Sequence, residues 1–238
     1  MKKFFFLMTI CLACMACDGK EKAVTPPGGI DTFFSEYCVP GYMDGTWQLI
    51  GNWPERELRM RIADDGKRMS YFSMSDNVAE VAEFRRIAEH NGDAGYDREV
   101  PEAPFFHICY AHNLKSIRVV SPDCGFGPDY PAGAPLDAAV TLRVRSLGAF
   151  VDSGYTKYYT YAGDDGEMLT DEVAWIEKRL PDLTATDLKM LVADETNVLS
   201  FTIDVMPDDA TAKSCTLCVT LQTEEDREIA VEGTLVFR

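Results

Sequence analysis

Basic residues are scarce in this chain. It has 23 Lys and Arg against 39 Asp and Glu, and with only 3 His its formal net charge is −16 at pH 7. A surface of that sign repels the phosphate backbone of nucleic acids and anionic membrane surfaces. The sequence therefore predicts no nucleic-acid partner, and we interpret the acidity mainly as an aid to solubility.

The signatures of common reaction centres are missing as well. The chain has no Gly-x-Ser-x-Gly nucleophile motif, no phosphate-binding loop and no dinucleotide fingerprint. Carboxylates are so numerous that pairs at any spacing are expected by chance, so no acid–base dyad can be assigned. We therefore predict no catalytic residues and no cofactor, and a hydrolase is the least favoured function.

Long apolar runs are absent except at the N-terminus. There, two lysines precede the apolar residues 4–16, which are too few to cross a bilayer as a helix but have the order of a secretory signal. Ala16-Cys17, followed at once by polar residues, resembles a bacterial lipobox, a resemblance that implies cleavage before Cys17 and its diacylation. We expect residues 1–16 to be a signal peptide and Cys17 to be lipidated, with Cys14 as the alternative.

The segment after Cys17 has no apolar periodicity and contains Pro26-Pro27-Gly28-Gly29. Such a composition predicts a flexible tether over residues 17–30, followed by a β-rich globular domain over 31–238 that is one unit or two subdomains. Two acyl chains give stable membrane attachment. We expect a protein of the outer membrane that faces the periplasm or the cell surface.

Alternation of apolar and polar residues at period two dominates the remaining sequence and predicts strands. The fold class we predict is mostly β, an antiparallel immunoglobulin-like β-sandwich with two or three short helices. Two hairpins are expected, with turns at Asp64-Asp65-Gly66 and His112-Asn113. The predicted strands cover residues 46–53, 58–62, 69–74, 105–111, 114–121, 140–147, 155–161, 199–205, 215–221 and 229–237.

Helical periodicity is confined to short segments. A stripe that includes Phe84 and Ile87 predicts an amphipathic helix over residues 77–91, which starts at a Ser75 or Asp76 cap and ends at Asn91-Gly92. Apolar residues at helical spacing, with acidic residues first and basic residues last, predict a second helix over 170–180. Thr184 and Asp187 have the spacing of a capping box, which suggests a third over 184–192.

Two motifs carry a resemblance to a known group. Ile117-x-Val119-x-Ser121 is a strand pattern, and Asp129-Tyr130 leads into a Pro-Ala-Gly loop. In these motifs and in the lipobox, the chain resembles a group of uncharacterised Bacteroidetes lipoproteins. It departs from them after Leu136, where the usual aromatic residue is lacking. The resemblance implies no catalytic residues.

Histidine and cysteine form one pattern that resembles a metal site. His107, Cys109 and His112 lie close in sequence, and Cys215-x-x-Cys218 is a distant partner. On a strand, His107 and Cys109 share one face, whereas His112, an odd number of residues away, points to the other face. We therefore favour structural cysteines and predict no metal. Of the five cysteines after the anchor, an odd number, at least one stays outside intramolecular pairs, and the pairing among them is left open. They are Cys38, Cys109, Cys124, Cys215 and Cys218.

Aromatic residues supply the candidate binding surfaces. The turn-rich loop over residues 125–135 carries Phe126 and Tyr130, and Tyr155 and Tyr158 belong to a second aromatic run. Exposed aromatic rings stack on sugar rings or on a partner's side chains. We predict a non-catalytic binding role toward a glycan or an envelope protein. The alternative is a structural or assembly subunit, as in fimbriae, in which the same aromatics form the core and a sheet edge pairs with a neighbour.

We expect Cys17→Ser to release the full-length protein from the membrane fraction and to abolish labelling by a fatty-acid analogue, because the thiol that carries the lipid is gone. Cys14→Ser is the matched control and should leave both unchanged. Labelling that survives Cys17→Ser but is lost in Cys14→Ser would place the anchor upstream.

Overall fold

The structure of the chain, a computed structural model, describes residues 36–39, 47–52, 57–62, 67–70, 77–96, 108–162, 168–171, 173–193, 199–208 and 214–236. Strands dominate this part of the chain, which confirms the mostly β class. The strands are β1 (Glu36–Val39), β2 (Trp47–Asn52), β3 (Glu57–Ile62), β4 (Lys67–Ser70), β5 (Ile108–Tyr110), β6 (Leu114–Val120), β7 (Val140–Ser146), β8 (Tyr159–Ala162), β9 (Met168–Asp171), β10 (Ala174–Arg179), β11 (Leu199–Ile203), β12 (Ser214–Thr223) and β13 (Glu228–Val236). The α-helices in these ranges are α1 (Val78–Asn91) and α2 (Gly148–Asp152).

The strands form four sheets within the described ranges. A five-stranded sheet has the order β10-β7-β11-β3-β2 and a three-stranded sheet has the order β13-β12-β6, and both are antiparallel throughout. A second three-stranded sheet has the order β4-β1-β5, in which β1 runs antiparallel to β4 and parallel to β5. β8 and β9 pair as a two-stranded ribbon.

One hydrophobic core joins the five-stranded sheet to the β13-β12-β6 sheet. Alternate residues of β7 and of β12 are fully buried in the same cluster, as period-two patterning requires. A leucine buried in this way stabilises the fold by about 1.5–3 kcal/mol relative to an exposed one. The strands that sequence alternation predicts at 140–147, 199–205, 215–221 and 229–237 are thus confirmed with small shifts at their ends.

A second core lies between α1, α2 and the β4-β1-β5 sheet. The helix predicted over 77–91 is confirmed, with Phe84, Ile87 and Ala88 buried against this sheet. Asn77 caps its start, since its side chain accepts hydrogen bonds from the backbone N–H groups of the first turn. Gly92 ends it in the left-handed conformation at φ 72°, as the Asn-Gly signal predicts.

The helix predicted over 170–180 is wrong, because this segment forms β10. Its residues pair with β7 over the whole strand, from Ala174 opposite Ser146 to Arg179 opposite Thr141. Apolar residues at helical spacing were the basis of the prediction. In a short segment, pairing with a buried neighbouring strand outweighs intrinsic helical tendency.

Both predicted hairpins are wrong in their pairing. β3 pairs with β2 and β11, whereas β4 lies in another sheet beside β1. β5 also pairs with β1, whereas β6 pairs with β12. A turn signal predicts that the chain reverses, but the partner of each strand is chosen by which faces can be buried together. The turn at residues 63–66 lies outside the described residues.

Two other segments differ from prediction. The predicted helix over 184–192 is a turn, although Thr184 and Asp187 do bond each other reciprocally as in a capping box. The predicted strand over 155–161 begins only at Tyr159. The short helix α2 was not predicted, and it has no side-chain cap. Its first residue, Gly148, lies so close to the backbone carbonyl of Thr186 that a Cβ atom would overlap it.

A disulfide joins Cys124 to Cys215 across a sequence separation of 91 residues. It ties the loop after β6 to the start of β12, and bonds of this kind form and persist in oxidising compartments. Cys218, three residues along the same strand, is half-buried and carries a thiol outside this bond.

We expect Cys124→Ala with Cys215→Ala to lower the free energy of unfolding by about 2–5 kcal/mol, because the bond closes a long loop in the unfolded chain. Urea unfolding of the full chain, followed by circular dichroism, measures this loss. Cys218→Ala is the control and should cost less than half as much. Equal losses in the two variants would contradict a stabilising role for this bond.

Candidate functional site

The loop predicted to present Phe126 and Tyr130 packs inward instead. Phe126 retains 2% of its accessible surface and belongs to the main core, and Tyr130 is half-buried against that core. The Phe126 N–H donates to the Tyr130 carbonyl at 2.8 Å, which closes the turn. The expectation that Phe126 stays exposed is therefore wrong, since burying so large a ring outweighs its position on a turn.

Tyr155 is also buried, with 8% of its surface accessible, although its backbone takes the left-handed conformation at φ 60°. Its hydroxyl donates to Asp93 Oδ1 at 2.9 Å, and its ring meets those of Tyr96 and Phe150 edge-on. Burial and the Asp93 carboxylate both raise the pKa of Tyr155 well above its usual value. Tyr155 is thus a core residue, and its predicted exposure is wrong.

Tyr158 remains at the surface with 47% of its area accessible. Its ring packs edge-on against Phe150 at 5.4 Å between centroids, so it is exposed but held in place. Ligand binding by Tyr158 stays a prediction. Cys17 and the adjoining tether lie outside the described residues.

A different aromatic, Trp175 on β10, occupies the outward side of the five-stranded sheet. It is 53% exposed, and two guanidinium groups lie over its ring. The Cζ atom of Arg143 is 4.8 Å from the ring centroid and that of Arg145 is 5.7 Å away. These are cation–π distances. We call these three residues the Trp175 surface.

The strand register explains how the Trp175 surface forms. On β7, Val140, Leu142 and Val144 point into the core, so the intervening Arg143 and Arg145 point outward. β10 pairs with β7 such that Trp175 stands directly opposite Arg145. Side chains in directly opposed positions on one face are within contact distance. The sheet therefore holds the indole and both guanidinium groups together.

The local charge at this surface is opposite to that of the whole chain. Within the described ranges Arg143 forms no ion pair with a carboxylate, although Glu177 is its register partner on β10. Ser200 on β11 is paired with Arg143 on one side and with the exposed Arg59 of β3 on the other, so Arg59 lies in the same row across the sheet. Arg179, at the end of β10, is instead bound to the Ala138 carbonyl and Asp204. Cationic groups thus gather on one face of an acidic chain.

Among the described residues of the metal-like pattern, His112, Cys109 and Cys215 are not brought together. His112 Nδ1 lies 3.1 Å from Glu225 Oε1, Cys109 is buried in the second core and Cys215 is in the disulfide. Burial raises the pKa of the Glu225 carboxyl, but the His112 contact outweighs it and holds that pKa below its usual value. His107 lies outside the described residues.

Two further polar clusters connect elements of the fold. Asn113 donates to Asn91 Oδ1 at 3.0 Å and to Glu224 Oε2 at 3.1 Å, and so joins α1 to the turn between β12 and β13. Lys178 on β10 donates to Asp187 Oδ2 at 2.8 Å. Burial raises the pKa of the Asp187 carboxyl, but this bond and those from Thr184 outweigh it and lower the pKa. Both clusters hold segments of the fold together.

The helical spacing of apolar residues predicts a helix around residue 175, so it does not place Trp175 beside the arginines of β7. A usable signal was present. In residues 141–145 and in residues 175–179, every second residue belongs to the side of a strand that faces solvent. When two such strands pair, these residues lie on one face of the sheet.

Comparisons with known proteins give no relative: no family model, no curated protein and no solved structure matches the chain. In the described part of the chain, neither helix has the length and apolar character that a membrane span requires.

We expect Trp175→Ala to change the free energy of unfolding by less than about 1 kcal/mol, because the side chain is exposed and its cation–π contacts are solvated. Phe126→Ala should cost about 3–5 kcal/mol, because it opens a cavity in the core. Urea unfolding of the two full-length variants compares them. A loss in Trp175→Ala as large as that in Phe126→Ala would make Trp175 a structural residue.

Proposed function

We propose that this chain is a lipid-anchored outer-membrane protein with a non-catalytic binding role, whose ligand is a glycan or an envelope protein. The observation that carries the proposal is the Trp175 surface, an exposed indole with two guanidinium groups on the outward side of a sheet. Trp and Arg are the residue types most enriched where binding energy is concentrated.

The rigidity of the underlying sheet supports this role. β7 lies inside the five-stranded sheet between β10 and β11, and its inward residues are fully buried. Side chains on such a strand lose little further freedom when a ligand binds, so less affinity is spent on ordering them.

The anchor and the domain plan belong to the same proposal. Cys17 as the lipidated residue, residues 17–30 as a tether and residues 31–238 as the folded part would hold the Trp175 surface away from the membrane. Membership of the Bacteroidetes lipoprotein group is part of the proposal and rests on the sequence motifs alone.

We further propose that the mostly β architecture is an immunoglobulin-like sandwich. The shared core of the five-stranded sheet and the β13-β12-β6 sheet supports the two-layer arrangement. One feature differs from antibody domains. The Cys124–Cys215 bond joins the loop after β6 to β12. Because β6 and β12 are neighbouring strands of one sheet, this bond does not cross between two sheets as the antibody disulfide does.

Assembly is the second candidate function, and one observation favours it. β10 is an edge strand of the five-stranded sheet and, in the described ranges, pairs with β7 alone. An open edge can accept a strand from a neighbouring subunit. In that case β10 would contribute its backbone, and the Trp175 side chain would matter less.

A pull-down from envelope extracts and a glycan array, both with the full-length protein in detergent, test the proposed function. We expect capture of a ligand that is lost in Trp175→Ala and retained in Tyr158→Ala, because Trp175 lies on β10 whereas Tyr158 lies in the loop before β8. Turnover of the captured ligand would contradict a non-catalytic role. Self-association that survives Trp175→Ala but fails after proline substitution at Ile176 would favour assembly through β10.

A further inference from the structure

The chemistry of the Trp175 surface specifies a class of ligand. Resting on the proposed binding function, we propose that this surface binds an anionic saccharide, a glycan with a carboxylate or sulfate group on its sugar rings. One ring stacks on the Trp175 indole while the guanidinium of Arg143 donates hydrogen bonds to the anionic group of that ring or the next.

The indole has an accessible side for a sugar ring. Arg143 and Arg145 both belong to β7, so they cover Trp175 from the interior of the sheet. Trp175 itself lies on the edge strand β10 and keeps 53% of its surface exposed. The flat apolar face of a sugar ring would stack on the part of the indole that stays exposed.

Arg143 has the donors that an anion needs. Its guanidinium is held near the ring at 4.8 Å, and no carboxylate of the described residues forms an ion pair with it. A guanidinium presents paired N–H donors that match carboxylate and sulfate oxygens, and such charge-assisted bonds are stronger than neutral ones. Arg143 is exposed, so its N–H donors are accessible to a ligand.

The surrounding charges decide whether an anion is attracted. The whole chain carries −16, which by itself would repel an anionic polymer at long range. Arg143 supplies positive charge at the contact itself, and Glu177 opposes it from the register position beside Arg143. Because a Debye length is about 8 Å at physiological salt, these local charges dominate at contact. Glu177 should therefore weaken anion binding without abolishing it.

The neighbourhood favours a saccharide over an acidic peptide. The outward face of β7 and β11 near Trp175 carries polar residues. Among them are Thr141 on β7 and Thr202 on β11, which lie opposite each other. Peptide ligands that bind through their side chains typically need apolar pockets. A peptide strand added to the edge of β10 would use the backbone of β10 and not the Trp175 side chain. Saccharides instead combine one stacked ring with several hydroxyl hydrogen bonds, which a flat polar sheet can provide.

The test uses the full-length protein in detergent and isothermal titration calorimetry. The probes are an oligogalacturonate, its fully methyl-esterified form, dextran sulfate, neutral dextran and poly-L-glutamate. The variants are Arg143→Gln, Trp175→Ala, Trp175→Phe and Glu177→Gln. Arg118→Gln is the matched control, because Arg118 is an exposed arginine on β6 in the other sheet.

We expect the wild type to bind at least one of the two anionic saccharides and neither neutral counterpart. Arg143→Gln should weaken that binding at least about tenfold, because a charge-assisted bond is lost. Trp175→Ala should weaken it about tenfold and Trp175→Phe by less, because a ring remains for stacking. Glu177→Gln should strengthen it about twofold to fivefold. Arg118→Gln should change it by less than about twofold.

Three results would overturn the inference. They are no binding of either anionic saccharide by the wild type, equal binding of the charged and neutral forms, and tighter binding of poly-L-glutamate than of both saccharides. Loss of binding in Arg118→Gln equal to that in Arg143→Gln would also overturn it, since the effect would then be one of total charge. If an envelope ligand is still captured and depends on Trp175, the proposed binding role stands while the anionic-saccharide inference fails.

Discussion

The core shared by β7 and β12 is the interaction on which the rest of the structure depends. Alternate residues of these two strands are buried in one hydrophobic cluster between two sheets. A shift of either strand by one residue would turn its apolar side to water, so the burial fixes the register. Once the register of β7 is fixed, Arg143 and Arg145 must face outward. The candidate site is thus a direct consequence of how the core is packed.

The same constraint selects which aromatic residues are exposed. Phe126 and Tyr155 contribute large apolar areas to the two cores, and both are buried there. Trp175 alternates with Ala174 and Ile176 on β10, and these two neighbours turn toward the interior. An indole that faces outward on an edge strand then meets the arginines of the adjacent strand. Its environment is set by pairing between strands that are about thirty residues apart in sequence.

Much of the fold could be predicted from the sequence where one face of a segment is buried throughout. The alternation in β7, β12 and β13 and the Asn91-Gly92 end of α1 are local signals, and the structure confirms them, whereas the helix is capped by Asn77 and not by the expected Ser75 or Asp76. Pairing could not be predicted in the same way. The Asp-Gly turn before β4 and the His112-Asn113 turn suggested hairpins, yet the flanking strands pair elsewhere. The apolar residues in and around β10 fit both the helical period and the strand period, and only the contact of β10 with β7 decides between helix and strand.

The central claim is that the pairing of β10 with β7 creates a surface that holds an anionic saccharide on Trp175. The most direct measurement is a nuclear magnetic resonance titration of the full-length protein, labelled with ¹⁵N, with oligogalacturonate. The chain has 3 Trp, so the indole N–H signals are few, and Trp175→Phe assigns the relevant one. We predict that the Trp175 indole and Arg143 Nε signals shift together while the other indole signals stay in place. Shifts at Trp47 or Trp53 with an unchanged Trp175 signal would contradict it.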